Sequence, residues 1–238
     1  MREAAPTTAA ALIAVALMSA AAITQAQPQE QPQAPTPRPA DGQVRIVVEK
    51  MCCKGCAQKV SGKLYTVKGV KSVGVDLPSR TVTVSVPQTN APTLGALWRA
   101  AQQGDGGPTV LTTGSATYKL VPPATAEEAE RVRKMGATQH VVIDNLHCQG
   151  CARKIASRLY TLKGVTRVSV DMERETLVVQ ARPGAPLSPW LAIDAVAKAE
   201  ERPVAVSGSF GTLSIEYAAP AAPKNHQALQ TTTGGIQR

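Results

Sequence analysis

One offset organises this sequence. Cys53 and Cys148, Cys56 and Cys151, Tyr65 and Tyr160, Gly69 and Gly164, Asp76 and Asp171, and Pro108 and Pro203 are each 95 positions apart, and the offset never slips. Leu64, Tyr65 and Thr66, followed by Lys68, Gly69 and Val70, return as Leu159, Tyr160 and Thr161, followed by Lys163, Gly164 and Val165. So dense a match means that one unit was duplicated, and the chain is expected to fold as two domains of one kind, residues 43–122 and 137–217. Between them, residues 123–136 read as a spacer. Glu127, Glu128 and Glu130 precede Arg131, Arg133 and Lys134, which suits a short solvated helix with acids first and bases last.

Within each unit the apolar period changes in a fixed order. Val44, Ile46 and Val48 alternate as in a strand, and Ala57, Val60 and Leu64 recur at helical spacing. Val73 and Val75, a turn at Pro78 and Ser79, then Val82, Val84 and Val86 predict a hairpin. Leu94, Leu97, Trp98 and Ala101 predict a second helix, and residues 110–112 a last strand. The second unit repeats this order, so each is βαββαβ, an α+β arrangement with two helices on one face of an antiparallel sheet. The alternating stretches 116–121 and 212–217 would add a hairpin strand to each unit. Trp98 and Trp190 fall on the apolar faces of the second helices, with Trp190 near its helix start and expected to be half exposed.

Aromatic residues make up only 3% of the chain, so its core must be built from Val, Leu, Ile and Ala, and a large aromatic-lined ligand pocket is not expected. A net charge of +9 invites nucleic acid, acidic membranes or an acidic partner. Nucleic acid is set aside, because the RNA-recognition sheet of the same strand order needs stacking aromatics that this chain lacks. The charge is uneven, with ten bases against three acids in residues 43–122 and nine against eight in residues 137–217. Residues 1–26, with Arg2 before an apolar run and small residues up to Ala26, read as a secretory signal, which implies a periplasmic or secreted protein without stable membrane insertion after cleavage. Residues 27–42, rich in Gln and Pro, read as a linker, and residues 218–238 as a disordered tail.

All five Cys lie in two clusters, Met51-Cys52-Cys53-Lys54-Gly55-Cys56 and Leu146-His147-Cys148-Gln149-Gly150-Cys151, where the first strand hands over to the first helix. Two Cys in such a loop bring their sulfurs to one point, and the helix amino terminus favours the thiolates. Two thiolates suit a linear or trigonal ion such as Cu(I) or Hg(II), whereas structural zinc takes four ligands. The expected metal ligands are therefore Cys53 with Cys56 and Cys148 with Cys151. Four thiolates shared between the units on one Zn or Cd is a further arrangement that a flexible spacer permits but does not favour. Cys52 makes the cysteine count odd; a third ligand, a free thiol for intermolecular pairing and a bystander are its three readings, of which the bystander is expected, and His147 is expected to be a polar surface residue.

At these residues the chain resembles the heavy-metal-associated domain family, marked by MxCxxC on the first loop of a ferredoxin-like βαββαβ fold. The first unit fits with Met51, Cys53 and Cys56; the second fits with Cys148 and Cys151 but has Leu146 for the Met, mainly a core position in that family. The resemblance implies two tandem ferredoxin-like domains that bind Cu(I), with Hg(II), Zn or Cd as other soft ions. It also implies a metal donor or acceptor partner, such as a metal-transporting ATPase domain, and no catalysis. Family members often carry Lys, Tyr, Phe or His on the loop before the last strand, whereas this chain has Gly106-Gly107-Pro108 and Glu201-Arg202-Pro203. Two other readings stand beside this one. In an oxidising compartment each CxxC can be a disulfide within an interaction or structural module. A thiol-disulfide oxidoreductase also uses CxxC, but on a different fold and beside aromatic and Pro residues that are missing here.

Overall fold

A computed structural model describes residues 38–185 and 187–219. The expected signal segment, most of the first linker and the tail beyond residue 219 lie outside the described residues. Among the described residues no helix is long and apolar enough to cross a membrane. The first unit runs β1 (Gln43–Val48), α1 (Lys54–Tyr65), β2 (Ser72–Asp76), β3 (Thr81–Ser85), α2 (Ala91–Gln103), β4 (Pro108–Thr112) and β5 (Ala116–Val121). After α3 (Ala126–Lys134) come β6 (Thr138–Ile143), α4 (Gln149–Tyr160), β7 (Val165–Asp171), β8 (Thr176–Ala181), α5 (Pro189–Ala197), β9 (Pro203–Gly208) and β10 (Gly211–Tyr217). The two units are thus ferredoxin-like βαββαβ domains, each with a further strand.

Alternation builds the core. Val44, Ile46 and Val48 of β1 are fully buried, as are Val82 and Val84 of β3, while the residues between them face the open side of the sheet. Val60 and Leu64 of α1 and Leu94 and Leu97 of α2 close over that apolar face. Each such side chain contributes about 1.5–3 kcal/mol by leaving water. The marks of the repeat have structural reasons. Gly69 and Gly164 hold φ of 92° and 95°, a left-handed turn that a side chain would strain. The Tyr65 and Tyr160 hydroxyls accept the backbone N–H of Val73 at 3.2 Å and of Val168 at 3.0 Å, satisfying donors on the two outermost strands.

The added strands do more than extend two hairpins. Their hydrogen bonds to each other give one ten-stranded sheet in the order β2-β3-β1-β4-β5-β10-β9-β6-β8-β7. Leu120 lies opposite Leu213 and Tyr118 opposite Ile215, and the repeat offset exchanges these two pairs, so the join is an isologous interface within one chain. Lys119 pairs with its own counterpart Ser214, which places the pseudo-twofold axis between them. Where α2 meets α5, Gly95 faces its own counterpart Trp190, and a Cβ on Gly95 would come within 2.7 Å of the Trp190 Cβ. One copy therefore supplies a hole and the other the side chain that fills it. Trp190 is accordingly 4% exposed, not half exposed, with its ring 5.8 Å from Trp98 and 5.0 Å from Tyr118 between centroids. The spacer α3 is solvated as expected, with no buried residue and its Thr125 side chain capping Glu128 N–H at 3.1 Å. The spacer does not, however, leave the two domains flexibly tethered, because the shared sheet joins them.

Candidate metal centre

The loop that carries the first cysteines is held from below. β1 breaks register against β4 between Val47 and Val48, which turns the chain out of the sheet, and Met51 then dips into the core at 1% exposure. Leu146 does the same in the second unit at 2%. This position is an apolar anchor, so the change from Met to Leu leaves the loop in place. Gly106 and Gly107 form the opposite rim, their carbonyls accepting from Lys50 N–H at 2.9 Å and Glu49 N–H at 3.1 Å. A Cβ on Gly106 would lie 2.5 Å from the Val48 Cγ1, so close packing of backbone against β1 keeps a larger residue out of that position.

Cys53 is the N-cap residue of α1 and Cys148 that of α4. Each sulfur accepts the backbone N–H three residues on, Cys56 at 3.4 Å and Cys151 at 2.9 Å. A thiol thus takes the place usually given to Ser, Thr, Asp or Asn, and the three-residue spacing sets the second sulfur on the first helical turn beside it. Neither helix has an acid in that turn, so the positive end of the helix dipole acts on the sulfurs unopposed.

In the first loop the thiols are free, and the Cys53 and Cys56 sulfurs lie 3.0 Å apart. The Cys56 thiol and its backbone N–H, both hydrogen-bonded to Cys53, hold the Cys53 pKa below its ordinary value. Cys56 is pushed up, first by the same sulfur contact and then by Cys52. Cys52 is exposed, with its sulfur 3.8 Å from that of Cys56, and the three sulfurs all lie within 4.8 Å of one another. The sequence favoured a bystander at Cys52 over a third ligand, because adjacency to Cys53 does not say where a side chain points; here its sulfur lies with the other two.

The second loop differs. Cys148 and Cys151 form a disulfide, with Cα atoms 5.3 Å apart. His147, which stands where the first loop has Cys52, is exposed and its Nδ1 lies 2.8 Å from the Asn145 carbonyl oxygen. The structure therefore brings Cys53 to Cys56 and Cys148 to Cys151 but does not bring the two pairs together. Five antiparallel pairings lead from β1 through β4, β5, β10 and β9 to β6, so β1 and β6 run in opposite directions. The loops that follow them lie at opposite ends of the sheet, with five strand spacings, or ~24 Å, between the strands. One ion bound by all four cysteines is incompatible with this fold.

Comparison with known proteins agrees with the site. The family model for the heavy-metal-associated domain matches residues 45–97 and 141–199. Copper-transporting ATPase 1 of Mus musculus and that of Rattus norvegicus are each 23% identical over 158 residues, 61% of this chain and 10% of theirs. The chain thus spans about a tenth of the length of the curated relatives it matches. Among solved structures, the water-soluble region of the P-type ATPase CopA from Bacillus subtilis matches at 20% identity and a TM-score of 0.29, over 69% of this chain and 89% of that one. The N-terminal soluble domains of Bacillus subtilis CopA match at 17% identity and a TM-score of 0.25, over 74% and 92%. The two matched regions each open on the strand that leads into a cysteine loop, so the chain carries two tandem heavy-metal-associated domains, one in each repeat.

Proposed function

We propose that this protein is an exported, non-enzymatic carrier of Cu(I), which captures the ion and passes it on through Cys53 with Cys56 and Cys148 with Cys151. The observation that carries this reading is the first loop, where two free thiols stand 3.0 Å apart at a helix amino terminus with their open side to solvent. Hg(II) shares the preference for two thiolates in a linear arrangement, whereas Zn and Cd are weaker candidates, since two sulfurs leave a tetrahedral ion half coordinated. Transfer runs by ligand exchange: a partner thiolate bonds to the ion, one of the chain's metal–sulfur bonds breaks, and the released sulfur takes up a proton. The metal stays in one oxidation state throughout. The similarity to copper-transporting ATPases supports copper as the cargo and a soluble domain of a metal-transporting ATPase as donor or acceptor. The amino-terminal sequence supports a periplasmic or secreted setting.

The deciding experiment is Cu(I) titration of the fully reduced mature protein, without oxygen, against a colorimetric chelator. Two tightly held ions per chain are expected, and replacing all four cysteines by Ser should abolish tight binding with both domains still folded. No uptake by the parent protein would overturn the assignment. The disulfide of the second loop favours a second reading, in which that loop is a structural or redox element rather than a carrier site. Alkylation and mass spectrometry of protein from its native compartment separate the two, since a permanent staple predicts no free thiol at Cys148 or Cys151.

A further inference from the structure

Resting on that reading, we propose that Cys52 is a third thiolate ligand of the first centre, so that the two copies hold a soft ion in different coordination, three sulfurs in the first and two in the second. Geometry carries the argument. A metal bound to three sulfurs at about 2.3 Å in a trigonal plane sets them about 4.0 Å apart. The Cys52 and Cys56 sulfurs are already 3.8 Å apart, and all three sulfurs lie within 4.8 Å of one another. The 3.0 Å between Cys53 and Cys56 has only to open to that spacing.

Backbone placement makes the arrangement repeatable. Met51 is fixed in the core on one side of Cys52, and Cys53 is fixed as the helix cap on the other. The intervening residue has little freedom, and its sulfur meets Cys56. In the second copy the corresponding residue is His147, whose Nδ1 is engaged by the Asn145 carbonyl, so the copies differ at one ligand position. The charge difference follows the ligand count. Three thiolates carry one more negative charge than two, and the first unit has a surplus of seven bases where the second has one. A third sulfur holds the ion against a competing thiol, so the first centre is the retaining site and the second the more readily exchanging one.

The test uses the full-length chain with Cys148→Ser and Cys151→Ser, which isolates the first centre, loaded with one equivalent of Cu(I) anaerobically and without added thiol. X-ray absorption should count three sulfurs, falling to two when Cys52→Ser is added. Retention against a Cu(I) chelator should fall by at least about tenfold, the lower end of what loss of even a supporting partner costs a metal site. In a parallel Hg(II) titration, the thiolate charge-transfer bands should move to higher energy in the Cys52→Ser variant. Two sulfurs and equal retention with and without Cys52 would overturn this inference and leave the carrier reading standing. No Cu(I) uptake by the parent chain would overturn both.

Discussion

At the scale of single residues, the first loop is a set of unequal thiols. Cys53 receives the hydrogen bonds from Cys56, so its pKa is lowered and its thiolate persists to lower pH; Cys56 is raised and ionises later. Site-resolved alkylation across a pH series should therefore label Cys53 at lower pH than Cys56, and superimposable profiles would contradict the hydrogen-bond assignment. Tyr65 offers a second check. Its hydroxyl accepts from Val73 N–H at 3.2 Å on an outermost strand while the side chain remains largely exposed. Tyr65→Phe should cost about 0.5–1.5 kcal/mol and speed hydrogen exchange at the Val73 amide. The recurrence of Tyr65 and Tyr160 was plain in the sequence, but its purpose was not, because the partner amide sits eight residues away across a turn.

Among the elements, α2 and α5 show how one glycine can be required where another is not. Gly62 of α1 is exposed, and a Cβ there would meet nothing within 4 Å. Gly62→Ala should stabilise the protein by about 0.4–1 kcal/mol through helix propensity and the unfolded state. Gly95→Ala gains the same propensity, but its Cβ would stand 2.7 Å from the root of the Trp190 side chain, which cannot swing away. Overpacking of this kind costs about 1–3 kcal/mol, so the net sign reverses. Trp190→Ala should be worse, about 3–5 kcal/mol, because the buried ring fills the space that Gly95 leaves. Urea denaturation of the three variants gives the ordering, and a stabilised Gly95→Ala variant would show that the helices do not meet as described. The helices themselves were legible from their apolar spacing. What lay opposite Gly95 was not, since periodicity marks a buried face without naming its partner.

For the whole molecule, the shared sheet makes two separate sites of two loops that the repeat alone would allow to meet. The reduced protein should bind two ions per chain, while protein with the Cys148–Cys151 disulfide intact should bind one. Replacing Cys148 and Cys151 by Ser should leave the affinity of the first centre unchanged, whereas a loss there would mean that the cysteine pairs share an ion. In the proposed carrier, the fixed opposition of the two ends gives each loop its own approach for a partner, with the more basic unit at one of them.

The duplication, the βαββαβ order of each unit and the pairing of Cys53 with Cys56 and of Cys148 with Cys151 were legible before any folding was considered. These rest on local quantities: the repeat offset, the period of apolar residues, and a three-residue spacing that a helix start converts into proximity. Only the folded chain shows that β5 pairs with β10, that Trp190 is buried against Gly95, that the cysteine loops lie at opposite ends of one sheet, and that the Cys52 sulfur lies beside those of Cys53 and Cys56. The reason is physical. An edge strand presents the same backbone donors and acceptors to any partner, so which strand it joins is settled by side-chain fit across the interface. Likewise, the direction of an exposed side chain in a loop depends on the residues that anchor the backbone around it.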